Sequence, residues 1–260
     1  GTRAGTGGPQ PRLERYTGEY NEYGQREGYG RVSMPQSRPR GGMHTYAGQW
    51  KQGQMHGTGT YCFGSDGDRD GEEEGVGGGG GNRTRNVHPF TGTFVHNQIK
   101  GFGKHQYCDG SSYEGQCVGV TREGYGVSVE VGGDRYEGEY VNDLRQGHGK
   151  LSYAKNSNTY EGSFHHGVRE GRGCWRFEGG VYEGEWVGGA MEGWGVCRYL
   201  SGDVYTGTWL GGMLQGEGEF RHSNGDVYVG GFVRGKEHGK GRFRAASGGT
   251  YEGEYHEGKR

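Results

Sequence analysis

Four side-chain groupings in this sequence could do chemistry. The commonest is a pair of glutamates two residues apart: Glu137/Glu139, Glu183/Glu185 and Glu252/Glu254. On a strand, that spacing puts both carboxylates on one face, as general acid–base catalysis would need. The second is DGDRDG, where Asp66, Asp68 and Asp70 present oxygens at alternate positions ahead of Gly71. That is the first half of an EF-hand calcium loop, but the twelfth position is Gly77 and no helical pattern flanks it, so a flexible acidic loop is the plainer reading. The third is a row of cations, Arg26, Lys100, Arg122, Arg145, Arg169 and Lys236, which could bind an acidic protein tail or a phosphoinositide headgroup. The fourth, His165-His166 and five cysteines, has no metal-site spacing. Neither a G-x-S-x-G nor a Cys-His-acid signature is present, and the Gly-x-Gly elements lack the G-K-[ST] of a phosphate loop, so no catalytic, cofactor or metal residue is assigned.

The elements that carry these groups follow from composition and period. Of 260 residues, 63 are glycine and only 28% are apolar, yet there are 19 Tyr, 9 Phe and 5 Trp. A conventional core draws on about 45–50% apolar residues, so a large globular interior is excluded. The glycines instead recur. An aromatic-x-Gly-x-aromatic pentad begins at Tyr16, Tyr46, Phe90, Tyr113, Tyr136, Tyr160, Tyr182, Tyr205, Tyr228 and Tyr251, the fourth copy ending on Cys117. From Phe90 onward the anchors lie 22 to 24 residues apart, and a Gly-x-Gly follows eleven residues after nearly every one.

Within a unit the apolar period is two, which specifies strands. Counting the anchor as position 1, positions 1, 3 and 5 share a face, and the glycine at 14 shares it with large residues at 16 and 18. Each unit therefore reads as a β-hairpin with a two-residue turn such as Asn142-Asp143, Gly188-Gly189 or Gly211-Gly212. Rings are expected to lie over neighbouring glycines in one stripe that includes Tyr136, Tyr140, Tyr160, Phe164, Trp175, Phe177, Tyr182, Trp186, Tyr205 and Trp209. The fold class is all-β: an elongated single-layer antiparallel sheet of about ten stacked hairpins. After Tyr125 the apolar Val127, Val129 and Val131 fall on odd positions, which predicts a bulge or register change there. The domain plan is a tail over 1–15, two units over 16–63 with an insert near 35–42, an acidic glycine-rich insert over 64–86, seven units over 90–250, and a partial unit over 251–260.

These pentads and their Gly-x-Gly partners, as in YEGEYVNDLRQGHG (residues 136–149), resemble the MORN (membrane occupation and recognition nexus) repeat family. The resemblance implies a scaffold, spacer or dimerising module. Residues 20–35 and 135–149 are also similar to units of ciliary radial spoke head proteins, which implies an axonemal or cytoskeletal setting and protein partners. By the same resemblance, such arrays also occur as arms of phosphoinositide kinases and lysine methyltransferases.

Charge is nearly balanced, with 30 basic and 32 acidic side chains, so no global field favours nucleic acid. The glutamate pairs face basic residues of the return strand, Lys104, Lys150, Arg176, Arg198, Arg221, Arg242 and Arg244, and cross-strand ion pairing is expected rather than catalysis. An odd cysteine count without C-x-x-C, and no apolar leader at the start given, point to a reducing cytoplasm. The sequence given stops before the Gly-x-Gly of its tenth unit, so it reads either as part of a longer polypeptide or as an open edge for homodimeric or other edge-to-edge assembly. The functional expectation is a non-catalytic, cytoplasmic protein-assembly scaffold. Its rivals are a regulatory arm of an enzyme and a weak anionic-lipid contact through the cation row.

Overall fold

The computed structural model describes residues 14–35, 43–64 and 88–260. Every regular element among them is a β-strand. The chain divides into two parts, Gly1–Thr121 and Arg122–Arg260. The first holds β1 (Arg15–Tyr20), β2 (Arg26–Pro35), β3 (Met43–Lys51), β4 (Gln54–Phe63), β5 (His88–Val95), β6 (Gln98–Gln106) and β7 (Ser112–Val118). At the boundary β8 (Thr121–Val129) begins, followed by β9 (Arg135–Val141), β10 (Leu144–Ser152), β11 (Thr159–His165), β12 (Val168–Phe177) and β13 (Gly180–Val187). The second part ends with β14 (Ala190–Tyr199), β15 (Val204–Leu210), β16 (Met213–Arg221), β17 (Val227–Val233), β18 (Lys236–Arg244) and β19 (Thr250–Tyr255). Within each part consecutive strands pair antiparallel. Among the described residues, substantial strand contacts join chain neighbours alone, so each part is one layer.

The turns explain the hairpins. Both central residues of Asn142-Asp143, Gly188-Gly189 and Gly211-Gly212 have positive φ, as a type I′ turn requires. That backbone twist matches the right-handed twist of the flanking strands, so a two-residue connection closes without splaying them. On the opposite edge the connections are longer apart from Glu178-Gly179 between β12 and β13, and both inserts of the sequence fall there, after β2 and β4.

One glycine per strand lies in register across each part. In the second part Gly138 pairs Gly149, Gly149 pairs Gly162, Gly162 pairs Gly173, and the row continues to Gly253. The row forms the floor on which the anchor rings lie. A Cβ on Gly149 would stand 2.6 Å from the ring carbons of Tyr136, and one on Gly138 would stand 2.6 Å from the Gly149 backbone. No side chain fits between ring and floor. The first glycine of each Gly-x-Gly serves differently. Gly147 (φ 61°) sits in a bulge where β10 carries two residues with no partner on β9. The bulge lies beside the backbone carbonyl of position 4, and the anchor hydroxyl donates to it. Tyr136 reaches the Glu139 carbonyl at 3.1 Å, and Tyr160 reaches that of Ser163 at 3.0 Å.

The ring stripe separates into two columns. From Tyr46 to Phe232 positions 1 and 5 are buried, with Tyr136, Tyr160, Tyr182 and Tyr205 at 0% exposure, whereas Trp175 and Phe177 at positions 16 and 18 stay half-buried beside them. Where its own and the next unit both carry a ring at position 5, an anchor meets two of them edge-on. Tyr136 stands 5.2 Å from Tyr140 and 5.1 Å from Phe164 of the next unit, and Tyr160 stands 5.2 Å from Phe164 and 5.1 Å from Trp186. Such contacts contribute about 0.5–1.5 kcal/mol each beyond their burial.

Against β9 the register change expected after Tyr125 does not occur: β8 pairs β9 regularly from Gly124 to Val129. Ser128 fills the inward position at 2% exposure and accepts the Tyr140 hydroxyl at 2.9 Å, while Val127 and Val129 lie on the other face. A hydrogen-bonded serine here replaces the apolar residue that the pattern led one to expect.

The glycine floor makes a direct prediction. Gly149→Ala should lower the stability of the chain by about 2–3 kcal/mol in denaturant unfolding, the overpacking range. Gly132→Ala, where no atom lies within 4 Å of the added methyl, should change it by less than about 0.5 kcal/mol. Equal effects would show that the ring does not rest on that glycine.

Candidate interaction surface

The six candidate cations do not form one row. Arg26, Arg122, Arg145 and Arg169 each stand two residues before the first glycine of a Gly-x-Gly, and there the strand turns the side chain toward the rings. The Arg26 guanidinium lies 4.9 Å from both the Tyr16 and Trp50 ring centres. Arg122 lies 4.8 Å from Tyr140, Arg145 lies 5.1 Å from Tyr136, and Arg169 lies 4.2 Å from Trp186 and 5.5 Å from Tyr160. These are cation–π distances, each contributing about 0.5–2 kcal/mol. Arg122 and Arg169 also donate to the carbonyls of Asp143 and Gly189 in the next turn, both at 2.7 Å. Ion pairs engage Arg26 with Glu14, Arg122 with Asp143, and Arg145 with Glu130. Lys100 and Lys236 stand one residue out of that register; both are exposed, and Lys236 lies 3.9 Å from Glu257.

The residue between each such arginine and the glycine was not singled out in the sequence, and it has a repeated role. Glu123 accepts the Asn142 amide at 3.0 Å, Gln146 that of His166 at 3.0 Å, and Glu170 that of Gly188 at 2.9 Å. The motif R-[EQ]-G-x-G thus clamps one hairpin to the turn of the next. Its signal is present in the sequence as Arg122-Glu123-Gly124, Arg145-Gln146-Gly147 and Arg169-Glu170-Gly171.

The glutamate pair resolved in most detail diverges. Glu137 accepts from Arg135 at 2.7 Å and from the Tyr125 hydroxyl at 3.0 Å, and these two contacts hold its carboxyl below the usual range. Glu139 bends to the bulge and accepts the His148 amide at 3.3 Å. General acid catalysis calls for a raised carboxyl pKa, the opposite of the Glu137 shift. Cross-strand ion pairs join Glu114 to Lys104 at 3.5 Å and Glu183 to Arg198 at 3.8 Å. Arg221 pairs with Glu219 on its own strand. Lys150, Arg176, Arg242 and Arg244 make no ion pair within 4.0 Å among the described residues. The His165 and His166 rings are 4.2 Å apart, and no cluster of three metal-ligating side chains occurs among the described residues. Cys117 is buried in the ring column. Asp66, Asp68 and Asp70 lie outside the described residues.

Burial raises the phenol pKa of the anchors, to about 12 for Tyr46, Tyr160, Tyr205 and Tyr228, and upward too for Tyr136 and Tyr182. An unfolded tyrosine ionises near 10, so above that pH the unfolded chain releases protons that the folded chain keeps. The stabilisation is complete below about pH 10 and is lost as pH rises through about 12. Alkaline titration should therefore show tyrosinate absorbance and loss of β circular dichroism in one cooperative step. Ionisation of most tyrosines near pH 10 with the fold intact would contradict the buried column.

The MORN repeat family model matches residues 46–68, 90–112, 136–157, 160–181, 182–204, 205–227, 228–250 and 251–260. The units starting at Tyr16 and Tyr113 fall outside it. In the first the Gly-x-Gly comes one residue late, and the second has Cys117 where a ring is usual. No curated protein matches the sequence. Among solved structures, a catalytically inactive virginiamycin B lyase from Staphylococcus aureus bound to quinupristin shares 10% identity over 87% of this chain and 74% of its own, and its TM-score of 0.15 carries no argument. The matched repeats cover more than half of the sequence and coincide with hairpins built on the glycine floor: this chain belongs to the MORN repeat family, whose repeats form interaction modules for proteins or membrane lipids.

Proposed function

We propose that the chain is a non-catalytic scaffold that holds other proteins together in a cytoplasmic assembly, cytoskeletal or ciliary in setting. The observation that carries this reading is the position of the arginines. The side chains best suited to gather lipid phosphates lie over their own rings and are held by carbonyls and carboxylates, which leaves Lys100 and Lys236 as the exposed members of the row. Two exposed point charges give a bilayer little purchase, since each basic residue near an anionic surface contributes about 1 kcal/mol. Protein recognition is favoured instead, because stacked hairpins present regularly spaced surface to an extended partner. The ciliary setting rests on the likeness of residues 20–35 and 135–149 to radial spoke head units. Attachment to an enzyme as a regulatory arm is the second reading, since arrays of this family are joined to catalytic domains.

Tagging the native protein in ciliated cells, combined with proximity labelling, tests the proposal. The expected outcome is axonemal or cytoskeletal protein neighbours that persist when phosphoinositides are depleted. Localisation to membranes that is lost on depletion would contradict it.

A further inference from the structure

An exposed aliphatic stripe runs beside the turns of the second part, on the face away from the rings. In each hairpin the residue before the turn and the residue after it stand opposite one another: Val141 with Leu144, Val187 with Ala190, and Leu210 with Met213. Between and beyond these pairs, His165 stands opposite Val168, and Val233 stands opposite Lys236. Val141, Leu144, Val187, Leu210 and Met213 are 44–55% exposed, and Val168 and Val233 are 43% and 40% exposed. Strand alternation accounts for the direction of these side chains but not for their type, because no strand among the described residues packs over them. Single exposed aliphatics are ordinary, whereas five consecutive hairpins repeating them at one place form a contiguous patch of the kind that marks a binding site.

Resting on the protein-scaffold reading above, we infer that this stripe seats an amphipathic α-helix of a partner protein, lying across the strands with its apolar residues on a seven-residue repeat. Two observations select this occupant. The first is spacing. Strands stand about 4.8 Å apart, so successive hairpins place their aliphatic pairs about 9.6 Å apart. Seven residues of α-helix rise about 10.5 Å, so an apolar position in each heptad meets one hairpin in turn with a mismatch of about 1 Å. The second is charge. The rows next to the stripe carry Glu139, Glu170, Glu185, Glu192 and Glu217 against Arg172 and Lys240, a net negative border. An acidic border suits lysines and arginines on the flanks of a helix and opposes an anionic bilayer.

The probe is a four-heptad synthetic peptide with leucine at the first and fourth positions of each heptad and lysine on the flanking positions. Its binding to the full chain is read by fluorescence anisotropy. The expected result is saturable binding that Leu144→Glu combined with Leu210→Glu weakens by about tenfold or more while the thermal midpoint is unchanged. A peptide with glutamate in place of the flanking lysines should bind more weakly. Absence of saturable binding, or equal binding by the doubly substituted chain, would overturn the inference. Flotation of the native chain, but not the variant, with uncharged phosphatidylcholine vesicles would overturn it too, by assigning the stripe to a membrane. If the variant keeps every proximity-labelled neighbour of the native protein in cells, the stripe falls and the scaffold reading stands.

Discussion

A tyrosine ring lying flat on a pair of glycines is the contact from which this architecture follows. The ring needs the space two Cβ atoms would fill, which fixes glycine at the third position of the pentad and the second of the Gly-x-Gly. Its hydroxyl needs an acceptor, and the carbonyl beside the bulge supplies one, as for Tyr182 and the Glu185 carbonyl at 3.1 Å. Its edge needs a neighbour, and the position-5 rings of its own and the next unit provide two. One side chain thereby ties three strands together in a layer with no second sheet above it among the described residues. A chain with only 28% apolar residues folds in this way because the buried surface is gathered into one column of rings.

Much of this was legible in the sequence. Alternation and the 23-residue spacing identified the strands, the two-residue turns and the ring-over-glycine packing, because each depends on backbone geometry that residue type reports directly. What escaped notice was where polar side chains go. Arg26 and Lys100 both stand ten residues after their aromatic anchors, yet Arg26 stands two residues before a glycine and points at rings, whereas Lys100 stands one residue before and points away. Counting from the Gly-x-Gly separates them. Ser128 shows a different limit. Its place in the column depends on the Tyr140 hydroxyl opposite, a tertiary partner that strand periodicity does not encode. The calcium-like aspartates fall in a stretch the described residues do not include.

The arginine caps change how function is sought in this family member. Read as a row of cations, they suggest a surface for anions. Placed over Tyr140, Tyr136 and Trp186, they are part of the column, covering the ring edges at the turn end and holding the next turn by its carbonyl. Their removal would loosen the hairpin stack before it touched any ligand. The opposite face carries exposed glutamates and the aliphatic residues beside the turns.

The most direct measurement of the ring-on-glycine contact is a double-mutant cycle between Tyr160 and Gly173. A Cβ on Gly173 would stand 2.5 Å from the Tyr160 ring carbons, so Gly173→Ala should be strongly destabilising in the native background. Once Tyr160→Ala has removed the ring, the same substitution should be far milder, giving a coupling of about 1.5 kcal/mol or more in denaturant unfolding. Additive effects, within about 0.5 kcal/mol, would mean that ring and glycine do not share the space assigned to them, and the account would fail.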